Sequence, residues 1–207
     1  MFFNLFKKKN LKETDNKIES IPLEVQLQHL NDIGIHLNEG IAEDEITREI
    51  ELSLIESKPY YLFLLMALGG EFQSSEGVWG SISDDIWYFD TECIEDNGIY
   101  IEIVQNLIRI SKGFFNVQNI KDCVDVENSQ AWVSFEYAGK DYKWDLEVND
   151  DWFDVGLISK INKVLKGSAN SMQYAVAIID QSCLVGLFTP EQVAKLNSLT
   201  TLKFEFV

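Results

Sequence analysis

The sequence predicts an α+β fold in which a helix-rich N-terminal half packs on a mostly antiparallel sheet from the C-terminal half. Three observations carry this. In 131–154, AWVSFEYAGKDYKWDLEVNDDWFD, Val133, Phe135 and Tyr137 alternate with Trp132, Ser134 and Glu136, and Tyr142, Trp144, Leu146 and Val148 alternate with Lys143, Asp145 and Glu147. Period-two alternation on both sides of the turn Ala138-Gly139-Lys140-Asp141 is the pattern of an antiparallel hairpin with one apolar and one charged face. Two apolar runs, 172–179 and 183–188, joined at Asp180-Gln181-Ser182, read as a second hairpin, centrally buried. Residues 20–112 instead carry apolar side chains mostly at helical spacing.

Along the chain, residues 1–19 read as a mobile lead-in, 20–112 as the helix-rich half and 113–207 as the strand-rich half of one compact domain. Ser20 and Pro22 suit a helix start, with Leu23, Leu27 and Leu30 on one face and Gly34 as the stop, although Leu23, Val25 and Leu27 would equally alternate as a strand. The acids Glu43-Asp44-Glu45 favour a helix N-terminus, and Ile46, Ile50, Leu54 and Ile55 fit one second helix ending before Pro59. Residues 60–68 are apolar all round, a short buried helix ended by Gly69-Gly70. Residues 71–85 read as a Ser- and Gly-rich loop, most linker-like at Ser74-Ser75-Glu76-Gly77, before a short strand at 86–89.

Asp96-Asn97-Gly98 is either a hairpin turn or a helix cap. The cap is preferred, because Ile99, Ile103, Leu107 and Ile110 keep one face for longer than most strands last, up to Gly113. A strand over 120–126 and the first hairpin follow. Asn149-Asp150-Asp151 then offers N-caps for a helix starting near Trp152, with Val155, Ile158, Ile161 and Leu165 inward and Gly167 at its end. Thr189-Pro190-Glu191-Gln192 has the form of a capping box with an early proline, and the alternation of Leu202, Phe204 and Phe206 with Lys203 and Glu205 predicts an edge strand.

Across 207 residues, hydrophobic content of 46% and charged content of 25% are ordinary for a folded protein. The net charge of −17 is not. It opposes binding to nucleic acid or anionic lipid and favours a basic protein partner. Between Lys58 and Arg109 there is no Lys, Arg or His, while Glu71, Glu76, Asp84, Asp85, Asp90, Glu92, Glu95, Asp96 and Glu102 fall there. A second acidic cluster spans 122–154, and the two would form one negative face if they meet in space.

Cys93, Cys123 and Cys183 form no C-x-x-C pair, which argues against a disulfide scaffold or zinc ribbon and fits a reducing, cytoplasmic setting. The opening MFFNLFKKKN has the wrong order for a secretory signal, and no apolar run approaches the roughly 20 residues of a membrane span. Phe2, Phe3, Leu5 and Phe6 beside Lys7-Lys8-Lys9 could touch a membrane surface; a frayed terminus is the simpler reading.

Nothing in the sequence requires a cofactor. The two histidines, His29 and His36, have no partner cluster, and no G-x-S-x-G, G-x-G-x-x-G, P-loop, zinc or EF-hand pattern is present. Carboxylates are the abundant reactive group: Asp90, Glu92, Glu95 and Asp96 in one set, Asp150, Asp151 and Asp154 in another. They could do acid–base work or hold a hard cation, but helix capping accounts for the second set more simply. All five tryptophans, Trp79, Trp87, Trp132, Trp144 and Trp152, lie in or beside acidic stretches. Aromatic rings rimmed by acids suit a surface for a basic protein. Trp144 belongs to the core, so the expected partner-binding set is Trp79, Asp84, Asp85, Asp90, Glu92, Glu95, Asp96, Trp132, Asp150, Asp151 and Asp154.

The segments Trp87-Tyr88-Phe89-Asp90-Thr91-Glu92-Cys93-Ile94-Glu95-Asp96 and Asp150-Asp151-Trp152-Phe153-Asp154 resemble landmarks of bacterial proteins of unknown function. The overall character (small, acidic, α+β, catalytically bare) is similar to that of immunity proteins of bacterial polymorphic toxin systems. That resemblance implies tight binding to a basic toxin domain and transfers no residue roles. The expected function is a non-enzymatic acidic protein-binding module of immunity or antitoxin type. The alternatives are a metal-assisted enzyme using the clustered carboxylates and a structural protein with no exposed site.

Overall fold

The computed structural model describes residues 20–48, 50–73, 77–166 and 171–207. The expectations for the lead-in at 1–19, the linker-like residues 74–76 and the stop at Gly167 lie outside them. The protein is α+β, with antiparallel sheets throughout the described residues.

A four-stranded sheet, in the order β3 (Ile86–Asp90), β8 (Ser182–Phe188), β7 (Gln173–Ile179) and β9 (Glu205–Phe206), forms the middle layer. Its register aligns Trp87, Val185 and Val176 on one face, and Ile86, Gly186 and Ala175 on the other. Because strand side chains alternate between faces, this sheet supports two cores at once. On the second face lie α1 (Leu23–Asn31), α4 (Leu62–Gly69) and α7 (Pro190–Leu199), contributing Leu30, Leu64, Leu68 and Leu196. On the first lie α5 (Ile99–Ile110), α6 (Gly156–Leu165) and a three-stranded sheet of β4 (Val117–Asp125), β5 (Gln130–Tyr137) and β6 (Lys140–Leu146).

The hairpins at 131–154 and 172–188 form as the alternation requires. Val133 pairs with Trp144 and Phe135 with Tyr142, which keeps the apolar set on the core face. The β5–β6 turn places Ala138 and Gly139 at positive φ, the geometry that matches strand twist in a two-residue hairpin. The capping box at Thr189 is complete: Gln192 N donates to Thr189 Oγ1 at 3.3 Å and Thr189 N to Gln192 Oε1 at 2.9 Å. Gly69 lets α4 sit directly on β3, since a Cβ there would lie 2.6 Å from Tyr88 N.

Three expectations are corrected. The second helix is two four-residue helices, α2 (Glu43–Ile46) and α3 (Leu52–Ile55). Ile46 and Ile55 are both buried, yet positions nine apart fall on opposite sides of a helix with about 3.6 residues per turn, so the chain must break for both to face the core. The 71–85 loop contains a hairpin of β1 (Glu71–Gln73) and β2 (Trp79–Ser81), strands too short to show an alternation. The helix expected near Trp152 begins at Gly156, because long-range pairing holds 152–153 extended. Among the described residues no helix is long and apolar enough to cross a membrane.

Candidate functional site

The two acid-rich stretches meet along a short backbone seam. Glu92 and Trp152 form an antiparallel bridge, Ile94 N donates to Asp151 O at 2.8 Å, and Phe153 N donates to Thr91 O at 2.7 Å. The local sequence explains the approach. Ile94 and Phe153 are buried apolar anchors, so each stretch fastens to the core by one or two residues while the acids between them stay outside. Phe89 packs edge-on against Phe153, with ring centroids 5.5 Å apart. The β7–β8 turn adds a third strand of support: Thr91 N and Thr91 Oγ1 both donate to Gln181 O, at 2.8 and 2.6 Å, and Gln181 Nε2 donates to Asp90 Oδ2 at 3.1 Å.

On this seam Asp90, Glu92, Glu95, Asp96 and Asp150 are exposed and Asp151 is half-buried. Among the described residues none of these six has a Lys, Arg or His nitrogen within ion-pair distance. Trp152 stands among them, exposed at the surface. Cys93 reads out the local field. Burial first, then the like charges of Asp90, Asp151 and Glu95, push its thiol up to about 11. Alkylation of Cys93 at mildly alkaline pH is therefore expected to be slow. Asn substitutions at Asp90 and Asp151 should lower the thiol pKa and speed alkylation several-fold, since the thiolate is the nucleophile. Peptide mass spectrometry of the modified chain measures this directly; an unchanged rate would mean the carboxylates do not converge on the thiol in solution.

Asp154 is drawn into the scaffold. Its Oδ1 accepts from Gly156 N at 2.7 Å and its Oδ2 from Glu147 N at 3.0 Å, while Lys160 Nζ stands 3.8 Å away. Its own N–H donates to the buried Tyr100 hydroxyl at 3.4 Å. Asp122 is likewise structural: it accepts from Gly98 N and Tyr100 N, satisfying orphan donors at the start of α5 from a neighbouring strand.

The structure does not bring the remaining candidates to the seam. Asp84 pairs with Arg109 at 3.1 Å; Asp85, only 9% exposed, is held by Lys112 and by His36 Nδ1 at 3.1 Å. The cation-free interval between Lys58 and Arg109 is thus neutralised near its middle by Arg109 and Lys112, which lie at and just beyond its C-terminal end. Trp79 lies on the β1–β2 hairpin, and Trp132 lies on the outer face of the three-stranded sheet with Lys143 Nζ 4.0 Å from its ring centroid. Trp152, Thr91 and Gln181 are the seam residues that pattern reading passed over. Only Trp152 carried a signal, its place directly after Asp150-Asp151.

Among the described residues no group of three or more His, Cys, Asp or Glu side chains is arranged to hold a metal ion. What the arrangement can do is present unpaired carboxylates around an exposed indole on a rigid backbone. Set against known proteins, the chain matches no family model, no curated protein and no solved structure.

Proposed function

We propose that this protein is a non-enzymatic binding module whose acidic seam takes a basic segment of a partner protein, in the manner of an immunity protein neutralising a basic toxin domain. The observation that supports this reading is the Ile94–Asp151 and Phe153–Thr91 hydrogen bonding, which joins two distant acidic stretches around Trp152 without neutralising them. Unpaired carboxylates of one sign raise the local concentration of a cationic partner, and a ring in their midst supplies area to bury. The overall charge of −17 acts in the same direction.

Titration of isotope-labelled protein with a lysine-rich peptide tests the site. The expected result is amide shift changes concentrated in 90–96 and 149–154, none with a glutamate-rich peptide, and loss of the changes in high salt. Changes spread evenly over the surface would defeat the seam as a binding site. The immunity role is tested separately, by co-expression with a toxin-like reading frame adjoining its gene; failure to protect the cell would defeat that role.

A further inference from the structure

Away from the acidic seam, one edge of the three-stranded sheet is open. β6 pairs with β5 on one side and with no other strand among the described residues on the other. The two-residue turn at Ala138-Gly139 makes Tyr137 and Lys140 a hydrogen-bonded pair, and pairing alternates from there. Lys140, Tyr142, Trp144 and Leu146 therefore turn their peptide groups toward β5, while Asp141, Lys143 and Asp145 turn theirs away. Lys160 Nζ covers part of this edge, donating to Asp145 O at 2.8 Å. The peptide groups of Asp141 and Lys143 have no hydrogen-bond partner among the described residues. Their side chains lie exposed on the outer face, and Tyr142 and Trp144 are half-buried on the inner one. Neither Asp141 nor Lys143 has an oppositely charged partner among the described residues; Lys143 Nζ lies over the Trp132 ring instead.

We infer that this edge pairs with the same edge of a second copy of the chain, antiparallel and centred on Tyr142. In that register Asp141 faces the partner's Lys143, and Lys143 faces the partner's Asp141. Each of these pairs exchanges both its backbone hydrogen bonds and sets opposite charges across the join on the outer face. The two Tyr142 rings meet on the inner face, where they and Trp144 lose exposed area. Neighbouring registers fail on charge. Centring on Lys143 sets the two lysines together and Asp141 against Asp145; centring on Trp144 sets Asp141 against Glu147 and needs the Asp145 carbonyl that Lys160 holds. Charged side chains ordinarily keep an edge from pairing, and here their order leaves one register open. The contact is two-fold symmetric, so it closes at a dimer. The net charge of −17 repels two copies at long range, but physiological salt screens that field over about 8 Å and leaves the contacts at the join to decide.

Sedimentation of the full chain over concentrations up to the millimolar tests the pairing, and two exposed single substitutions test the register. Wild type is expected to pass from monomer to dimer as concentration rises. Asp141→Lys and Lys143→Asp each set like charges across the join, so each variant alone should associate about tenfold or more weakly. Mixed in equal amounts, the two variants meet with opposite charges at both positions and should recover wild-type association, which unfolded chains could not do. Amide exchange gives a residue-level reading. The N–H groups of Asp141 and Lys143 should gain protection with concentration, while those of Lys140 and Tyr142, already paired with β5, should not. Wild type that stays monomeric throughout, single variants that dimerise as wild type does, a mixture that stays monomeric, or protection gained away from β6 would each overturn the proposal.

Discussion

Reversing the charge of Glu92, Glu95 and Asp151 to lysine is expected to slow association with a lysine-rich peptide by about tenfold or more at low salt. None of the three side chains makes a hydrogen bond or ion pair among the described residues, so the fold loses no partner with them. The effect should fade with salt: the screening length falls from about 30 Å at 0.01 M to about 3 Å at 1 M, and wild type and variant should converge. Dissociation should change less than association, because exposed charges steer encounters more than they hold a formed complex. A control that reverses Glu24, Glu43 and Glu127 alters the net charge equally but leaves the seam intact, and it should slow association far less. Stopped-flow fluorescence measures all three proteins. Equal slowing in both variants would make the effect one of bulk charge and remove the seam from the account.

The second large effect concerns stability. Asn162 on α6 is 1% exposed, and its side chain closes the edge of the central sheet where β9 ends. Its Oδ1 accepts from Tyr174 N at 2.8 Å, and its Nδ2 donates to Tyr174 O at 2.9 Å and Val207 O at 3.1 Å. It acts as a one-residue substitute for a strand. Asn162→Leu would leave the buried N–H and C=O of Tyr174 without partners, at a cost of about 1–3 kcal/mol each. The variant should therefore lose about 3 kcal/mol in urea unfolding, a large share of a typical domain's stability. Lys163→Ala, on the solvent side of the same helix, should change stability by less than about 0.5 kcal/mol. Equal midpoints for the Leu variant and wild type would mean that Asn162 does not bridge α6 to β7 in solution.

What could be read in advance follows from the range of the forces involved. The hairpins at 131–154 and 172–188, the helix with Ile99, Ile103, Leu107 and Ile110, and the capping box at Thr189 are local: neighbours within a few residues determine them, and all are present. The broken second helix, the β1–β2 hairpin and the late start of α6 were decided by contacts with distant residues. Trp152 and Phe153 follow a competent capping sequence, yet hydrogen bonds to Thr91 and pairing with Glu92 outweigh it.

The candidate site divides in the same way. Acid clusters are visible as composition, but pairing is not. Asp84 and Asp85 look like Asp90 and Glu92 in the sequence, and only the fold brings Arg109, Lys112 and His36 to the first pair while leaving the second without a cationic partner among the described residues. Asp122 and Asp154 look equally available, and the structure uses them to hold backbone N–H groups.

The sequence by itself determined the α+β class, the two main hairpins, most helix positions and the strongly negative charge, because each depends on residue type and short-range periodicity. Tertiary structure alone decided that residues 90–96 and 150–153 lie side by side and which acids stay unpaired. Those outcomes depend on which remote groups share a few ångströms of space, and that is fixed by the packing of both cores against the middle sheet.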